Sequence, residues 1–239
     1  MSNPQDGFNQ KARKFADNTL GRLLVALGAT PNRVTLGGAL ISAVGCLLWG
    51  LQVDHPNLFW WGLGVFLFGS MGDWLDGSVA RVGNMKTPFG GELDSLVDRF
   101  VEMAMWAALA FVFAKQNHLV LMVGCFTALG GSFIVTYARA KAEIKGLKGD
   151  VGFGDRSTRM IGLGVFVILG HYLIGLEWAV YVINVLAWVT AIHRVLSIRQ
   201  QLEGRSTLIR ADTRRFITTL MVVCGFAFAI IIFGIDTPW

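Results

Sequence analysis

The amino-acid sequence predicts an all-α protein of the polytopic membrane class, a bundle of transmembrane helices. Of its 239 residues, 54% are hydrophobic and only 15% are charged, and the mean hydropathy is positive, which is unlike a soluble domain. Apolar windows of about 20 residues recur along the chain and are long enough to cross a bilayer as helices. Because a bilayer offers unpaired backbone groups no water, and no period-2 pattern is visible, these windows are predicted to be helical.

The N-terminal segment, residues 1–30, is predicted to be cytoplasmic and to contain an amphipathic surface helix. At helical spacing its apolar residues fall on one half of the cylinder, whereas Lys11, Lys14 and Arg22 fall on the other half. Such a helix suits the membrane interface, with its cations on anionic headgroups. A solvated helix that packs on its own protein fits the pattern equally well. The segment lacks the apolar core of a signal peptide, so we expect neither export nor cleavage.

Seven transmembrane spans are predicted, of which six form a core domain and one is an addition. The spans are 34–53, 58–81, 95–114, 119–138, 160–176, 178–198 and 216–235. The core domain comprises residues 31–200, and residues 201–239 form a polar basic linker followed by the additional helix. The first helix and the linker therefore flank a single membrane domain.

The distribution of cations predicts the orientation of these spans. With the N-terminus in the cytoplasm, the basic loops 82–94, 139–159 and 199–215 are cytoplasmic too. Of the 21 Lys and Arg residues, only Lys115 then falls in an outside loop. The net charge of +5 is therefore interpreted as a topology signal, and no nucleic-acid partner is expected.

Four aspartates interrupt the apolar pattern around the loop between the second and third spans. Asp73 and Asp76 lie three residues apart and share a helix face. Asp94 and Asp98 lie four residues apart and share a face of the next helix. The intervening loop is rich in glycine and contains a proline, which suits a turn between antiparallel helices. The two acidic faces can therefore meet near the cytoplasmic side of the membrane.

Converging carboxylates in a membrane require a cation. An ionised carboxylate there costs several kcal/mol, and neighbouring carboxylates repel one another. Oxygen ligands select hard ions, so Mg²⁺, Mn²⁺ or Ca²⁺ is favoured over zinc. Four carboxylates could hold two divalent ions about 4 Å apart, an arrangement that clamps phosphate oxygens during displacement. Intramembrane acids also line the cation pathways of transporters, so a cation-coupled transporter is an alternative, although transporter sites usually lie near the midplane.

The spacing of these residues, D-x2-D-G-x2-A-R-x8-G-x3-D-x3-D, resembles the signature of the CDP-alcohol phosphatidyltransferase family. The matching positions are Asp73, Asp76, Gly77, Ala80, Arg81, Gly90, Asp94 and Asp98. The resemblance in helix layout covers roughly residues 8–200, and the seventh span lies outside the six-helix pattern. It implies transfer of a phosphatidyl group from a CDP-linked lipid to an alcohol with release of CMP, by a homodimer in the cell membrane whose site faces the cytoplasm.

The resemblance also implies roles for individual residues. The implied ligands of two Mg²⁺ or Mn²⁺ ions are Asp73, Asp76, Asp94 and Asp98. Asp98 would in addition be the general base that accepts the proton of the attacking hydroxyl. Gly77 and Arg81 would contact the nucleotide, Arg81 through its fork of donors. Asn32 and Thr35, at the start of the first span, are candidates for reaching a phosphate, and helix capping is the equal alternative for both.

The loop at residues 137–159 carries the best indication of the acceptor alcohol. It resembles the corresponding loop of prokaryotic phosphatidylinositol-phosphate synthases, where cations bind the phosphate of inositol 1-phosphate. The implied acceptor-phosphate residues are Arg139, Arg156 and Arg194, followed by Lys141 and Arg159. The loop could equally be basic for topology and anionic-lipid binding alone. Glycerol 3-phosphate and serine therefore stay open as acceptors beside inositol 1-phosphate.

Overall fold

The computed structural model describes residues 17–149, 162–165, 167–168 and 176–203, and every regular element in them is helical. The first 16 residues of the predicted N-terminal segment 1–30, most of the fifth span and the whole seventh span lie outside the described residues. By length and composition, three helices among the described residues could cross a membrane. These are Pro31–Val53, Leu119–Ile144 and Glu177–Leu202. The predicted all-α membrane class is confirmed.

The chain divides into two compact units, with the boundary between His118 and Leu119. The elements of the first unit are a π-helical turn at Asp17–Gly21, α1 at Arg22–Ala26, α2 at Pro31–Gly50, a 3-10 turn at Leu51–Val53, α3 at Leu58–Val82 and α4 at Pro88–Lys115. The second unit contains α5 at Leu119–Ile144, helical residues at 162–165 and 167–168, and α6 at Glu177–Glu203.

Five of the seven predicted spans overlap these helices, and three of the helices are clearly longer than their apolar windows. Helix α6 continues to Glu203 rather than ending at residue 198. Helix α4 begins at Pro88 rather than at residue 95, and α5 continues to Ile144 rather than ending at residue 138. The additional turns carry charged residues such as Glu92 and Lys141, which a hydropathy window excludes. Helix capping explains the earlier start of α4, because the Thr87 side chain accepts a hydrogen bond from the Gly90 amide at 3.0 Å and Pro88 occupies the first turn.

Glycines allow α2 and α3 to approach each other closely in the first unit. A Cβ atom at Gly38 would lie 2.7 Å from the carbonyl oxygen of Gly69 and 2.9 Å from the Cα of Gly72. Neither backbone atom could move aside without shifting a helix. Small residues at such contacts are typical of membrane helices, whose association depends on close packing. The start of α2 is thereby held against the end of α3.

Helix α2 also packs against α4, so it contacts both helices that carry the signature aspartates. The connection from α3 to α4 is a short turn in which Asn84 has a φ of 51°, a left-handed conformation that asparagine tolerates better than most residues. The Met85 amide in this turn donates to the Ala80 carbonyl at 3.0 Å. One region, beside the signature aspartates, is therefore surrounded by the start of α2, the end of α3 and the start of α4.

In the second unit, α5 packs against α6 through polar as well as apolar contacts. The Asn184 side chain donates to the Gly124 carbonyl at 2.8 Å, and the Thr127 hydroxyl donates to Oδ1 of Asn184 at 2.8 Å. Deeper in the unit, the buried Arg194 donates from Nη1 to the Val135 carbonyl at 3.0 Å. These hydrogen bonds supply partners for polar groups within an otherwise apolar helix pair.

Candidate active site

Three of the four signature aspartates converge where α3 and α4 approach each other. Carboxylate oxygens of Asp73, Asp76 and Asp94 all lie within 4.8 Å of one another. Asp98 follows Asp94 by one helical turn on α4 and is half-buried, but it is not a member of this group of three. The structure thus brings together Asp73, Asp76 and Asp94 of the two acidic faces expected from the sequence.

The burial and bonding of this cluster fit a hard divalent cation. Asp76 is buried, with 9% of its surface exposed, and Oδ1 of Asp94 is buried without a hydrogen-bond partner among the described residues. A buried carboxylate oxygen that lacks a donor is costly, and the two neighbouring carboxylates increase the cost. A cation bound between the three would supply the missing partner, and oxygen donors are the ligands that Mg²⁺ and Mn²⁺ prefer.

A residue of α2 fixes the orientation of one of these carboxylates. The Thr35 hydroxyl donates to Oδ2 of Asp76 at 2.5 Å, and both residues are buried. A hydrogen bond to an ionised acceptor is short and stronger than a neutral one. The residue at the N-cap of α2 is Thr30, which makes no side-chain capping bond. The same hydroxyl also lies 3.0 Å from the Pro31 carbonyl in the first turn of α2. Thr35 therefore links the aspartate cluster to the start of that helix.

A pocket of about 290 Å³ opens beside the cluster, between the start of α2, the end of α3 and the start of α4. Six signature residues line it, namely Asp76, Gly77, Ala80, Arg81, Gly90 and Asp94. The predicted residues Asn32 and Thr35 line it too. A Cβ at Gly90 would lie 3.1 Å from Oγ1 of Thr87, so glycine there keeps this wall of the pocket open. Most residues of the signature therefore line one cavity.

Three further residues of the α3–α4 turn line the pocket although sequence reasoning assigned them no role, namely Met85, Lys86 and Thr87. Lys86 adds a cation to a wall that otherwise has Arg81 as its charged donor. The sequence feature that could have indicated a role for Lys86 is its position between the signature residues of α3 and those of α4. A loop that joins two site-bearing helices is short enough here to contribute to the site itself.

The guanidinium of Arg81 is held by a residue from outside the signature. Its Nε donates to Oδ2 of Asp17 at 3.0 Å and its Nη2 donates to Oδ1 at 2.7 Å. The same Nη2 lies 3.1 Å from Oγ of Ser78. Sequence reasoning missed Asp17 because 64 positions separate it from Arg81 and no periodicity links the two.

The predicted acceptor residues that the structure describes lie in the second unit. Arg139 pairs with Glu143 at 2.8 Å, and the Lys141 ammonium lies 5.5 Å from the centre of the Tyr137 ring. The guanidinium of Arg194 is buried. The remaining two candidates, Arg156 and Arg159, lie outside the described residues. The acceptor site therefore stays a prediction.

Comparison with known proteins identifies the family. The sequence model of a family described as CDP-alcohol phosphatidyltransferase matches residues 29–196. The chain belongs to this family. It is therefore a transferase enzyme. Membership of this family favours an enzyme over a cation-coupled transporter, the alternative that the acidic residues alone allowed. The matched range contains every residue that lines the pocket beside the aspartates.

Similar proteins within the family include two synthases of inositol-containing lipids. The phosphatidylinositol phosphate synthase of Mycobacteroides abscessus is 31% identical over 195 residues, which cover 80% of this chain and 83% of that protein. The archaetidylinositol phosphate synthase of Pyrococcus horikoshii is 32% identical over 186 residues, which cover 77% of this chain and 91% of that protein. Both names specify an inositol phosphate product, with different lipid parts.

Crystal structures of the Mycobacterium tuberculosis phosphatidylinositol phosphate synthase are similar in fold and 26% identical to this chain. The structure with CDP-DAG bound has a TM-score of 0.69 and covers 76% of this chain and 92% of its own. The structure in complex with manganese and citrate has a TM-score of 0.67 and covers 76% of this chain and 88% of its own. The helical fold of this family member is thus shared with an enzyme whose CDP-lipid complex is known.

Proposed function

We propose that this protein transfers a phosphatidyl group from CDP-diacylglycerol or a related CDP-lipid to inositol 1-phosphate, giving phosphatidylinositol phosphate and CMP. The observation that carries the proposal is the convergence of Asp73, Asp76 and Asp94 at a pocket that Arg81 also lines. A pyrophosphate bridge needs cations on its oxygens, and this site combines a cation-binding cluster with a guanidinium. The named relatives and the CDP-DAG complex of the M. tuberculosis enzyme support the choice of substrates.

We propose that the aspartates hold two divalent ions, Mg²⁺ or Mn²⁺, with Asp98 completing the ligand set. Support comes from the buried Asp94 oxygen without a donor and from the manganese complex of the M. tuberculosis enzyme. Bound divalent ions would offset the charge of the pyrophosphate and of the departing CMP. The chain's own contribution is to orient the ligands, as Thr35 does for Asp76.

In the proposed step, a hydroxyl oxygen of the acceptor attacks the phosphorus that carries the diacylglycerol. A new P–O bond forms, the P–O bond to the phosphate of CMP breaks, and CMP leaves with that oxygen and its electron pair. Asp98 accepts the hydroxyl proton. Gly77 and Arg81 would contact the nucleotide, and Asn32 and Thr35 line the same pocket, where they would border a phosphate.

The acceptor phosphate is assigned to cations of the second unit. We propose Arg194 as the principal contact, because a guanidinium buried among apolar helices is costly and one of its nitrogens, Nη1, is bonded to the Val135 carbonyl. An acceptor phosphate would offset the charge of this guanidinium. The other proposed acceptor residues are Arg139, Arg156, Lys141 and Arg159. The proposed location is the cell membrane, with a homodimer whose active sites face the cytoplasm.

The test is CMP release by the purified protein in detergent or nanodiscs with CDP-diacylglycerol and Mg²⁺. Inositol 1-phosphate, inositol, glycerol 3-phosphate and serine are supplied separately. We expect release that depends on inositol 1-phosphate, and we expect Asp98→Asn to abolish it while the melting temperature stays unchanged. The matched control is Asp54→Asn, which removes an exposed carboxylate paired with Lys115 at 2.9 Å and should retain activity.

Each other outcome corrects a defined part of the proposal. Release with glycerol 3-phosphate or serine instead would retain phosphatidyl transfer and overturn the acceptor. Turnover of Asp98→Asn at the wild-type rate would remove Asp98 as the base. No CMP release with any acceptor, in folded protein supplied with metal, would contradict the reaction itself.

A further inference from the structure

The carboxylate of Asp17 binds the guanidinium of Arg81, the arginine of the signature, although Asp17 lies far before Asp73, where the signature begins. We propose that Asp17 is a positioning residue that orients the Arg81 guanidinium toward the nucleotide pocket and thereby sets the affinity of the site for the nucleotide. The inference rests on the proposed function, since it concerns how the same site binds a CDP-linked substrate. It assigns a role to a residue outside the family signature.

Two sides of the Arg81 guanidinium have different surroundings. The Nε and Nη2 edge donates to both carboxylate oxygens of Asp17, at 3.0 and 2.7 Å. The remaining nitrogen, Nη1, lies on the opposite side, where a Cβ added to Gly77 would be 3.2 Å from it. Gly77 and Arg81 both line the pocket. The edge that Asp17 leaves available is therefore the one beside the pocket.

This arrangement suits binding of an anionic nucleotide. A free arginine side chain samples many rotamers, and each that is lost upon binding reduces affinity. A bidentate carboxylate pair restricts the planar guanidinium in position and in rotation. The side chains of Arg81 and Asp17 are 37% and 27% exposed, so the pair lies near the surface, and its two-point geometry is what distinguishes it from an ordinary surface ion pair. Asp17 thus preorganises Nη1 before the substrate arrives.

The fold places Asp17 where this pairing is possible. Asp17 begins the π-helical turn Asp17–Gly21, which packs against α3 beside its last turns. Ser78, one turn before Arg81 on α3, also lies within hydrogen-bond distance of Nη2, at 3.1 Å. The guanidinium is therefore fixed from two directions, by its own helix and by the segment that precedes α1.

The opposite role would be competition, in which Asp17 occupies the fork that a phosphate needs. Competition requires that the nucleotide bind the Nε and Nη2 edge, which faces Asp17 and not Gly77. The two roles predict opposite signs. Removal of the carboxylate weakens nucleotide binding if Asp17 positions Arg81, and strengthens binding if Asp17 competes.

The experiment measures CMP affinity by calorimetry with the purified full-length protein in nanodiscs, and steady-state KM and kcat for CDP-diacylglycerol. We expect Asp17→Ala to raise the Kd of CMP and the KM of the CDP-lipid by roughly 3- to 5-fold while kcat changes less than about twofold. Asp17→Asn, which keeps one acceptor oxygen, should fall between wild type and Asp17→Ala. The matched control Asp54→Ala also removes an exposed acid from an ion pair, with Lys115, and should change neither constant.

A double-mutant cycle separates positioning from a general structural role. In an Arg81→Ala background, Asp17→Ala should have no further effect on CMP affinity, because there is no guanidinium left to orient. An equal loss in both backgrounds would overturn the proposal, as would unchanged or tighter CMP binding in Asp17→Ala. Wild-type protein that neither binds CMP nor releases it would instead contradict the proposed function. Active wild type with an Asp17→Ala variant indistinguishable from it would overturn this inference alone.

Discussion

Replacing Thr35 by valine tests whether the hydroxyl of α2 prepares the aspartate cluster for a cation. Valine keeps the shape of threonine but removes the donor, so Oδ2 of Asp76 loses its bond of 2.5 Å. Both residues are buried, with 6% and 9% of their surfaces exposed, and water is therefore a poor substitute. A hydrogen bond to a charged group is worth about 1.5–3 kcal/mol. At 1.4 kcal/mol per factor of ten, this corresponds to roughly 10- to 100-fold in an equilibrium constant.

The expected result is Mn²⁺ binding that is weaker by about 10- to 100-fold, the range typical of losing a residue that orients a metal ligand. The assay is Mn²⁺ titration followed by electron paramagnetic resonance in the absence of nucleotide, so that binding is measured without turnover. The Mn²⁺ concentration for half-maximal CMP release should rise in parallel.

Two control variants accompany this measurement. Thr35→Ser keeps the hydroxyl and should bind Mn²⁺ within about threefold of wild type. Thr136→Val makes the same chemical change on α5, where the hydroxyl donates to the Ser132 carbonyl of its own helix at 3.1 Å, and should leave Mn²⁺ affinity unchanged. Wild-type affinity in a folded Thr35→Val protein would refute the role assigned to the hydroxyl.

Two further predictions concern packing and the acceptor. Gly38→Ala should lower the free energy of unfolding by about 1–3 kcal/mol, because its Cβ would overlap the backbone of α3. Gly37→Ala, which has open space around its Cβ, should leave stability unchanged. Melting temperatures in detergent compare the two variants, and equal values would contradict the close contact. Arg194→Gln should raise the KM of inositol 1-phosphate about tenfold or more without altering the Kd of CMP, and an unchanged KM would remove Arg194 from the acceptor site.

The aspartate cluster could be predicted from the sequence because its geometry is mostly local. Residues three or four apart on a helix share a face, and a short glycine-rich turn brings two such faces together. The structure confirms the convergence of Asp73, Asp76 and Asp94. The roles of these residues and of Asp98 as ligands and base stay predictions that the proposed experiments address.

The contacts that orient the cluster could not be predicted, because they join distant parts of the chain. Thr35 and Asp76 lie 41 positions apart, and Asp17 and Arg81 lie 64 apart. Neither pair belongs to a periodic pattern. Each depends on how closely helices pack, which the glycines of α2 and α3 decide through backbone contact. Hydropathy likewise misjudged the start of α4, since capping by Thr87 and not apolarity determines where that helix begins.

The positions at which the helices begin and end polarise the pocket. Helices α2 and α4 both begin at a proline beside it, and the aligned peptide dipoles of a helix place roughly half a positive charge at its first turn. Helix α3 ends there, with the opposite partial charge, and it contributes Asp73 and Asp76. One wall thus presents a field that attracts phosphate oxygens and another presents a field that attracts cations. Such a site favours a phosphate and its counter-ion together over either alone.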